Sequence, residues 1–274
     1  MYNESSTLKN ISSNLRMILL NKEQYHLANQ CFESNYPNIT FVKSVIEHKM
    51  PGNILIDSYE NPRSAFVLTQ GPYGFLSNNF DFGRVKNLRN ILTYSTHNNP
   101  AFKLMVESSP SELIKNCDDL TIIDRLHFNF NQTNINIHDE PHLENLTMRQ
   151  VDHAIFDRCN WKGLMLSLYG SIENYLKHGA GFCLLHNKRV VSEAHAIRSD
   201  NFSELGVFTD PMFRNRGLST AVCRHLLSYC VNHHSQPKWT CDTMNKASYK
   251  LALKLGFDHS YNYQALALIN RQKI

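Results

Sequence analysis

Pro211-Met-Phe-Arg-Asn-Arg-Gly-Leu-Ser-Thr220 is the stretch on which the reading of this chain turns. A strand-like run from Glu204 to Thr209 ends just before it, and an amphipathic helical pattern begins at Gly217. Between them lies a short loop with two arginines and a glycine. That combination favours an anion. The first N–H groups of a helix lack intrahelical acceptors, the helix dipole adds partial positive charge, and glycine allows close approach to the backbone. Arg214 and Arg216 add charge-assisted donors suited to phosphate. A plain helix start flanked by two solvated arginines is the other reading of the same residues. The loop lacks the Gly-Lys-Ser/Thr ending of a Walker loop and is not a dinucleotide fingerprint.

Working outward, residues 217–233 read as a helix with Val222, Leu226, Leu227 and Cys230 on one stripe. A strand over 238–242 comes next, then a helix over 246–255 with Gly256 where a C-terminal glycine belongs, and a strand over 263–268. Upstream, the pattern predicts a strand over 142–146 and helices over 148–159 and 166–178, the second closed by Gly179. Strands over 181–186, 189–197 and 204–209 come after them, the first two joined by a tight turn at Asn187-Lys188. In the first half, 15–32 and 41–46 have helix-like apolar spacing. Short strand-like runs cover 53–57, 64–68 and 73–76, punctuated by Asn61-Pro62 and Gly71-Pro72. Residues 126–130 alternate apolar and polar side chains with period two. The chain turns polar over 131–142, which places a boundary between an accessory domain, 1–138, and a catalytic domain, 139–274.

With 42% hydrophobic and 19% charged residues, the 274-residue chain has the composition of a globular protein with a sizeable core. No apolar stretch approaches the roughly 20 residues that span a bilayer, and Met17–Leu20 is too short for a signal core, so a cytoplasmic, non-membrane protein is expected. Seven scattered cysteines fit reduced thiols used as small core hydrophobes. A net charge of +4 suits an anionic ligand, but the basic stripe of a nucleic-acid binder is missing. Cys230, His233 and His234 share a helix face, yet no further ligands stand near them, so no metal is expected.

The arginine loop and the segments downstream of it resemble the GNAT superfamily of N-acyltransferases. Pro211-Met-Phe-Arg214-Asn-Arg216-Gly217-Leu-Ser219 looks like the family's pyrophosphate motif, Gln/Arg-x-x-Gly-x-Gly/Ala, with Ser219 in the last position. The strand Pro237–Asp242, then Asn245-Lys-Ala-Ser248, then Lys254-Leu-Gly-Phe257 come in the family's order. The resemblance covers roughly residues 142–270. It implies an α/β (α+β) GNAT fold, a mixed central sheet with splayed core strands flanked by helices. The layout of the whole chain is similar to bacterial two-part members and to glycine N-acyltransferases, with a degenerate GNAT-like half in front. Asn61-Pro-Arg-Ser-Ala-Phe-Val67 and Gly74-Phe-Leu76 fit that half, which has no phosphate loop of its own and serves as a structural partner or acceptor-side lid.

The resemblance further implies an acetyl-CoA or short acyl-CoA donor between the strands 205–209 and 238–242. Val207, Phe208 and Thr209 would pair with the pantetheine arm, and Arg214, Asn215, Arg216, Gly217, Leu218, Ser219 and Thr220 would hold the pyrophosphate. A backbone N–H near Val207 would polarise the thioester carbonyl. A base must take the proton of the acceptor amine. Glu204 is the first candidate, Glu193 the competitor and His195 a third. The tyrosine that many GNATs use to protonate the thiolate is replaced by Ala252, which leaves Ser248, Tyr249 or water for that task. Asn245 would touch the pantetheine or simply cap its helix. Trp161 and Trp239 read as packing anchors, and Tyr169 and Tyr175 as core residues or acceptor-side lining. The expected acceptor is the primary amine of a small molecule or amino acid, bound by a monomer or homodimer. A protein amine acetyltransferase and a non-catalytic CoA-binding regulatory module are the alternatives.

Overall fold

A computed structural model describes residues 4–80, 92, 101–106, 120–130 and 145–268. The chain forms two compact units, Met1–Arg125 with Tyr263–Ile274, and Leu126–Asn262. This division falls ahead of the polar stretch 131–142, which lies outside the described residues. It also assigns the end of the chain to the first unit.

In the first unit, α1 (Glu4–Leu15) leads into β1 (Ile18–Leu19), a 3-10 helix (Lys22–Cys31) and α2 (Ile39–Ile46). The single helix expected over 15–32 is therefore not formed. Arg16 adopts a left-handed conformation (φ 51°) that ends α1, and the next residues pair with β2 (Gly52–Ile56). β2, β3 (Ala65–Thr69) and β4 (Tyr73–Leu76) form an antiparallel meander, and β4 runs parallel to β5 (Lys103–Val106). The last strand, β12 (Phe257–Leu268), places its end antiparallel to β5, with Leu266 opposite Leu104. Ile11, Leu15, Leu55, Phe66, Leu104 and Leu266 share one buried cluster.

The second unit repeats that order. β7 (Leu146–Gln150), β8 (Ala180–His186), β9 (Arg189–Arg198) and β10 (Phe202–Thr209) pair antiparallel in succession, and β10 runs parallel to β11 (Gln236–Asp242). Residues 126–130 of β6 (Leu120–Phe130) lie beside β11. Asn187 (φ 49°) and Lys188 (φ 67°) make the β8–β9 turn, as their sequence predicts. Each half thus carries an antiparallel meander followed by a parallel strand, the mixed α/β layout expected of a repeated fold.

The helices of this unit correct two expectations. Residues 148–150 are strand, because β7 pairs with β8. The helix after it, α3 (His153–Phe156), starts only where Asp152 accepts the N–H of Ile155 at 2.9 Å. The helix expected over 166–178 is two, α4 (Lys162–Tyr169) and α5 (Ile172–His178). Gly170 takes φ 77°, a conformation glycine adopts without a steric cost, and the Ser171 side chain caps the new helix at the Asn174 N–H. α6 (Leu218–Asn232) packs on the sheet through Val222, Leu226, Leu227 and Cys230, all fully buried. α7 (Lys246–Lys254) ends before Gly256, at φ 89°. The free cysteines of the described residues are all buried, and none of their helices is long and apolar enough to cross a membrane.

Candidate active site

β10 and β11 are paired only at Phe202↔Gln236, Ser203↔Pro237 and Glu204↔Lys238. A buried hydrogen bond between the Ser203 and Ser235 hydroxyls (2.6 Å) and one from the Gln236 N–H to the Asn201 carbonyl (2.8 Å) tie the closed end. Along its other edge β10 stays bonded to β9 as far as Thr209↔Ser192. Beyond Glu204, then, one edge of β10 is held and the other faces a gap. Backbone polar groups along such an edge need partners, and an extended ligand can supply them as an added strand. Val207, Phe208 and Thr209, expected to meet a pantetheine arm, stand on this edge, half-buried.

At the end of β10 the chain enters the arginine loop. The Asp210 carboxylate accepts the Met212 N–H (2.9 Å) and pairs with Arg189, which fixes the 3-10 turn Pro211–Phe213. The Nε–H of Arg214 donates to the Thr209 carbonyl (3.3 Å), and the Arg216 guanidinium lies over the Phe213 ring at 5.6 Å. Asn215 (φ 62°) and Gly217 (φ 78°) turn the backbone into α6, whose start has no side-chain cap. Leu218 and Thr220 are buried, Ser219 half-buried, and Arg214, Asn215 and Arg216 lie at or near the surface. Uncapped first-turn N–H groups beside two arginines make a cationic, donor-rich corner suited to a phosphate group.

The two candidate carboxylates have different surroundings. Glu204 accepts the Thr240 hydroxyl at 2.7 Å, and it stands opposite Lys238 in the sheet register. Burial pulls the Lys238 amine below the usual lysine range, against the opposing pull of Glu204, and its ammonium donates to Asn129 at 3.2 Å. Glu193 is fully buried. One of its oxygens accepts the Trp161 N–H (2.7 Å) and the other the Asn160 N–H (2.8 Å). Burial pushes its acidity down, but the neighbouring His195 ring and the two amides outweigh this and hold the carboxyl below its usual range. The third candidate, His195, is buried between Glu193 (3.5 Å) and the Tyr175 hydroxyl (2.6 Å).

On α7, the Asn245 side chain accepts the Ser248 N–H at 3.1 Å, so it acts as a helix cap. The Ser248 hydroxyl accepts the Trp239 indole N–H at 3.1 Å and keeps its own proton for another partner. Ala252 is fully buried, and Tyr249 packs edge-on against Phe128 while remaining 36% exposed. Trp239 is a packing anchor, 1% exposed, whereas Trp161 is half-buried. Tyr169 and Tyr175 are both core residues, stacked edge to face at 5.5 Å. Cys230 is buried on the sheet-facing side of α6, and His233, at the end of that helix, stacks on Tyr229 at 4.0 Å.

Sequence reading passed over Thr240 and Lys238. Strand alternation was the available signal, since Lys238 and Thr240 share the face of β11 that Glu204 meets. His127 was missed as well. It is 1% exposed, and burial first and the Lys238 charge second lower its pKa to about 4. A histidine held neutral in the folded state costs stability as acid charges the unfolded chain. Stability is intact above the usual histidine pKa and falls between about pH 6.5 and 4, by on the order of 3 kcal/mol for this residue. Urea denaturation at pH 7.5 and 4.5 should show that loss, and His127→Phe should reduce it.

A parted parallel strand pair, a cationic helix start and a carboxylate at the fork together define an acyl-CoA N-acyltransferase of the GNAT type. The family model for GNAT acetyltransferase matches residues 29–266, and the chain belongs to that family, whose co-substrate is acetyl-CoA. An uncharacterized N-acetyltransferase of Bacillus subtilis, YdfB, is 25% identical over 256 residues, covering 87% of this chain and 93% of the relative. The crystal structure of a GCN5-related N-acetyltransferase-like protein from Streptococcus suis superposes with TM-score 0.70 at 25% identity, covering 90% of this chain and 98% of that one. A tandem GNAT protein from the clavulanic acid biosynthesis pathway matches with TM-score 0.57 at 9% identity, over 91% of this chain and 96% of its own, which speaks to the fold alone.

Proposed function

We propose that this protein transfers an acetyl or short acyl group from acyl-CoA to the primary amine of a small molecule or amino acid, by direct attack in a ternary complex. The observation that carries the reading is the end of β10–β11 pairing at Glu204, which leaves a slot with a carboxylate at its apex. Acyl-CoA enters as substrate. The open edge at Val207, Phe208 and Thr209 receives its pantetheine arm, and the loop Arg214–Thr220 its pyrophosphate. Glu204 takes the proton of the acceptor ammonium, the freed amine attacks the thioester carbonyl, and a backbone N–H near Val207 stabilises the oxyanion. The tetrahedral adduct then collapses by breaking the C–S bond, and the second proton of the amine nitrogen passes to the departing thiolate through water or the Ser248 hydroxyl, whose proton is not used by Trp239. Asn245 supports the site by capping α7. Residues 126–262 supply this machinery, and the first unit is an accessory half.

Thiol release from acetyl-CoA, measured against amino acids, polyamines, aminoglycosides and lysine peptides, tests the reading. Turnover with one small-molecule class supports it, and turnover with peptides alone moves the acceptor to a protein amine. CoA binding without turnover on any acceptor favours a regulatory module. Arg216→Ala removes one exposed guanidinium from the phosphate corner, and it should weaken CoA binding about tenfold with little change in melting temperature. Isothermal calorimetry and a thermal melt read the two quantities side by side.

A further inference from the structure

His195 on β9 stands in register between Gly181 on β8 and Gly206 on β10. The two glycines of this row leave space for two rings, one on either side of the His195 imidazole. A methyl group added at Gly181 would lie 2.4 Å from the Tyr175 hydroxyl oxygen. One added at Gly206 would lie 2.6 Å from the Trp161 ring. The indole therefore rests directly on the backbone of β10 at Gly206. Glu204 and Gly206 are alternate residues of one strand, so the indole covers the face of β10 from which Glu204 projects. The other face of β10 carries Leu205 and Val207, which pack against the α6 core.

What holds the indole there is the buried carboxylate of Glu193. Trp161 sits at the start of α4, after a stretch with no pairing to the sheet. Its own N–H and that of Asn160 each donate to a separate oxygen of Glu193, and the Asn160 side-chain amide adds a longer contact (3.4 Å). On the far side His195 and Tyr175 back the carboxylate in a line. A general base must reach the proton it removes at hydrogen-bond distance. The Glu193 oxygens are spent on loop amides, and the residue has no exposed surface.

We infer that Glu193 is a positioning residue, which fixes the Trp161 indole over Gly206 as the wall of the acceptor cleft, so that the acceptor's carbon skeleton packs on Trp161 while Glu204 handles its proton. This assignment rests on the acyltransfer reading above, but part of its test does not.

The chain has two tryptophans, so Trp239→Phe leaves Trp161 as the sole indole emitter. In that background Glu193→Gln should shift emission to longer wavelength and raise acrylamide quenching, because the loop amides lose their anion. Unchanged emission and quenching would overturn the clamp, whether or not any amine is acetylated. The kinetic arm uses whichever of phenethylamine, spermidine, glycine and lysine the wild type acetylates fastest. Trp161→Ala and Gly206→Ala should each raise the KM for that amine at least fivefold, with kcat and the KM for acetyl-CoA changed less than twofold. Gly206→Ala displaces the indole without touching Glu193, so it stands in if Glu193→Gln folds poorly. Glu193→Gln should follow the same pattern and keep the acid limb of the kcat profile. A collapse of kcat with that limb lost and KM intact would make Glu193 the base and end the proposal, and so would an unchanged acceptor KM in both Trp161→Ala and Gly206→Ala. If the wild type acetylates no amine, the function proposed above fails, and the fluorescence result alone decides the clamp.

Discussion

Glu204→Gln is expected to lower kcat by about 10²- to 10⁴-fold, the span ordinarily contributed by a positioned general base. The KM for acetyl-CoA should change little, since the parts assigned to that substrate are the open edge of β10 and the Arg214–Thr220 loop. The reason lies at the fork. Glu204 occupies the last paired position before β10 and β11 part, and its oxygen is already oriented by the Thr240 hydroxyl at 2.7 Å. Glutamine keeps the size and can still accept that hydroxyl, so folding should survive while the capacity to take a proton is lost. The pH dependence supplies an independent check. With Glu204 as the base, the wild-type rate should fall on the acid side, and this limb should be missing from the residual activity of the variant. A drop below tenfold with the acid limb intact would remove Glu204 from the role.

Much of this site could be read in the sequence because its elements are local. The loop after β10, the Gly217 start of α6 and the Asn245 cap of α7 each depend on residues close together in the chain, and the structure forms them where the pattern placed them. Boundaries governed by distant partners were less legible. Residues 148–150 have helical spacing but become strand because β8 offers them a ladder, a gain that no local pattern records. The split between α4 and α5 had a local signal, Gly170-Ser171, that a continuous apolar periodicity concealed. Glu193 illustrates the limit most sharply. Its spacing from Glu204 says only that both lie on neighbouring strands. Its contacts come from residues 160 and 161, more than thirty positions upstream, and those contacts separate a carboxylate engaged by amides from one at the apex of a slot. The affiliation of β12's end with the first unit was equally hidden, because pairing of 264–266 with 104–106 spans most of the chain.

Trp239→Ala should be the most damaging of single core truncations, costing about 3–5 kcal/mol, the usual range for removing a large buried aromatic. Trp239 is 1% exposed on β11, beside Phe257 at a ring separation of 5.6 Å and within the cluster that α6 packs upon. Small alternatives cannot fill that volume, since Leu226 and Leu227 on α6, Leu255 at the end of α7 and Phe257 on β12 share its buried cluster. The indole also donates to the Ser248 hydroxyl, and Ser248 in turn gives its N–H to Asn245, so the loss reaches the cap of α7. Trp239→Phe separates the two contributions. It retains most of the apolar volume but not the N–H, so its cost should be smaller by at least half, with Ser248 free to bond water at the helix start. Urea denaturation of both variants measures the difference. If the site depends on α7 as placed, Trp239→Phe should also lower acetyl-CoA affinity by a few fold under conditions where the protein remains folded. Equal stability losses in the two variants would show that the hydrogen bond to Ser248, rather than ring packing, holds β11 to α7.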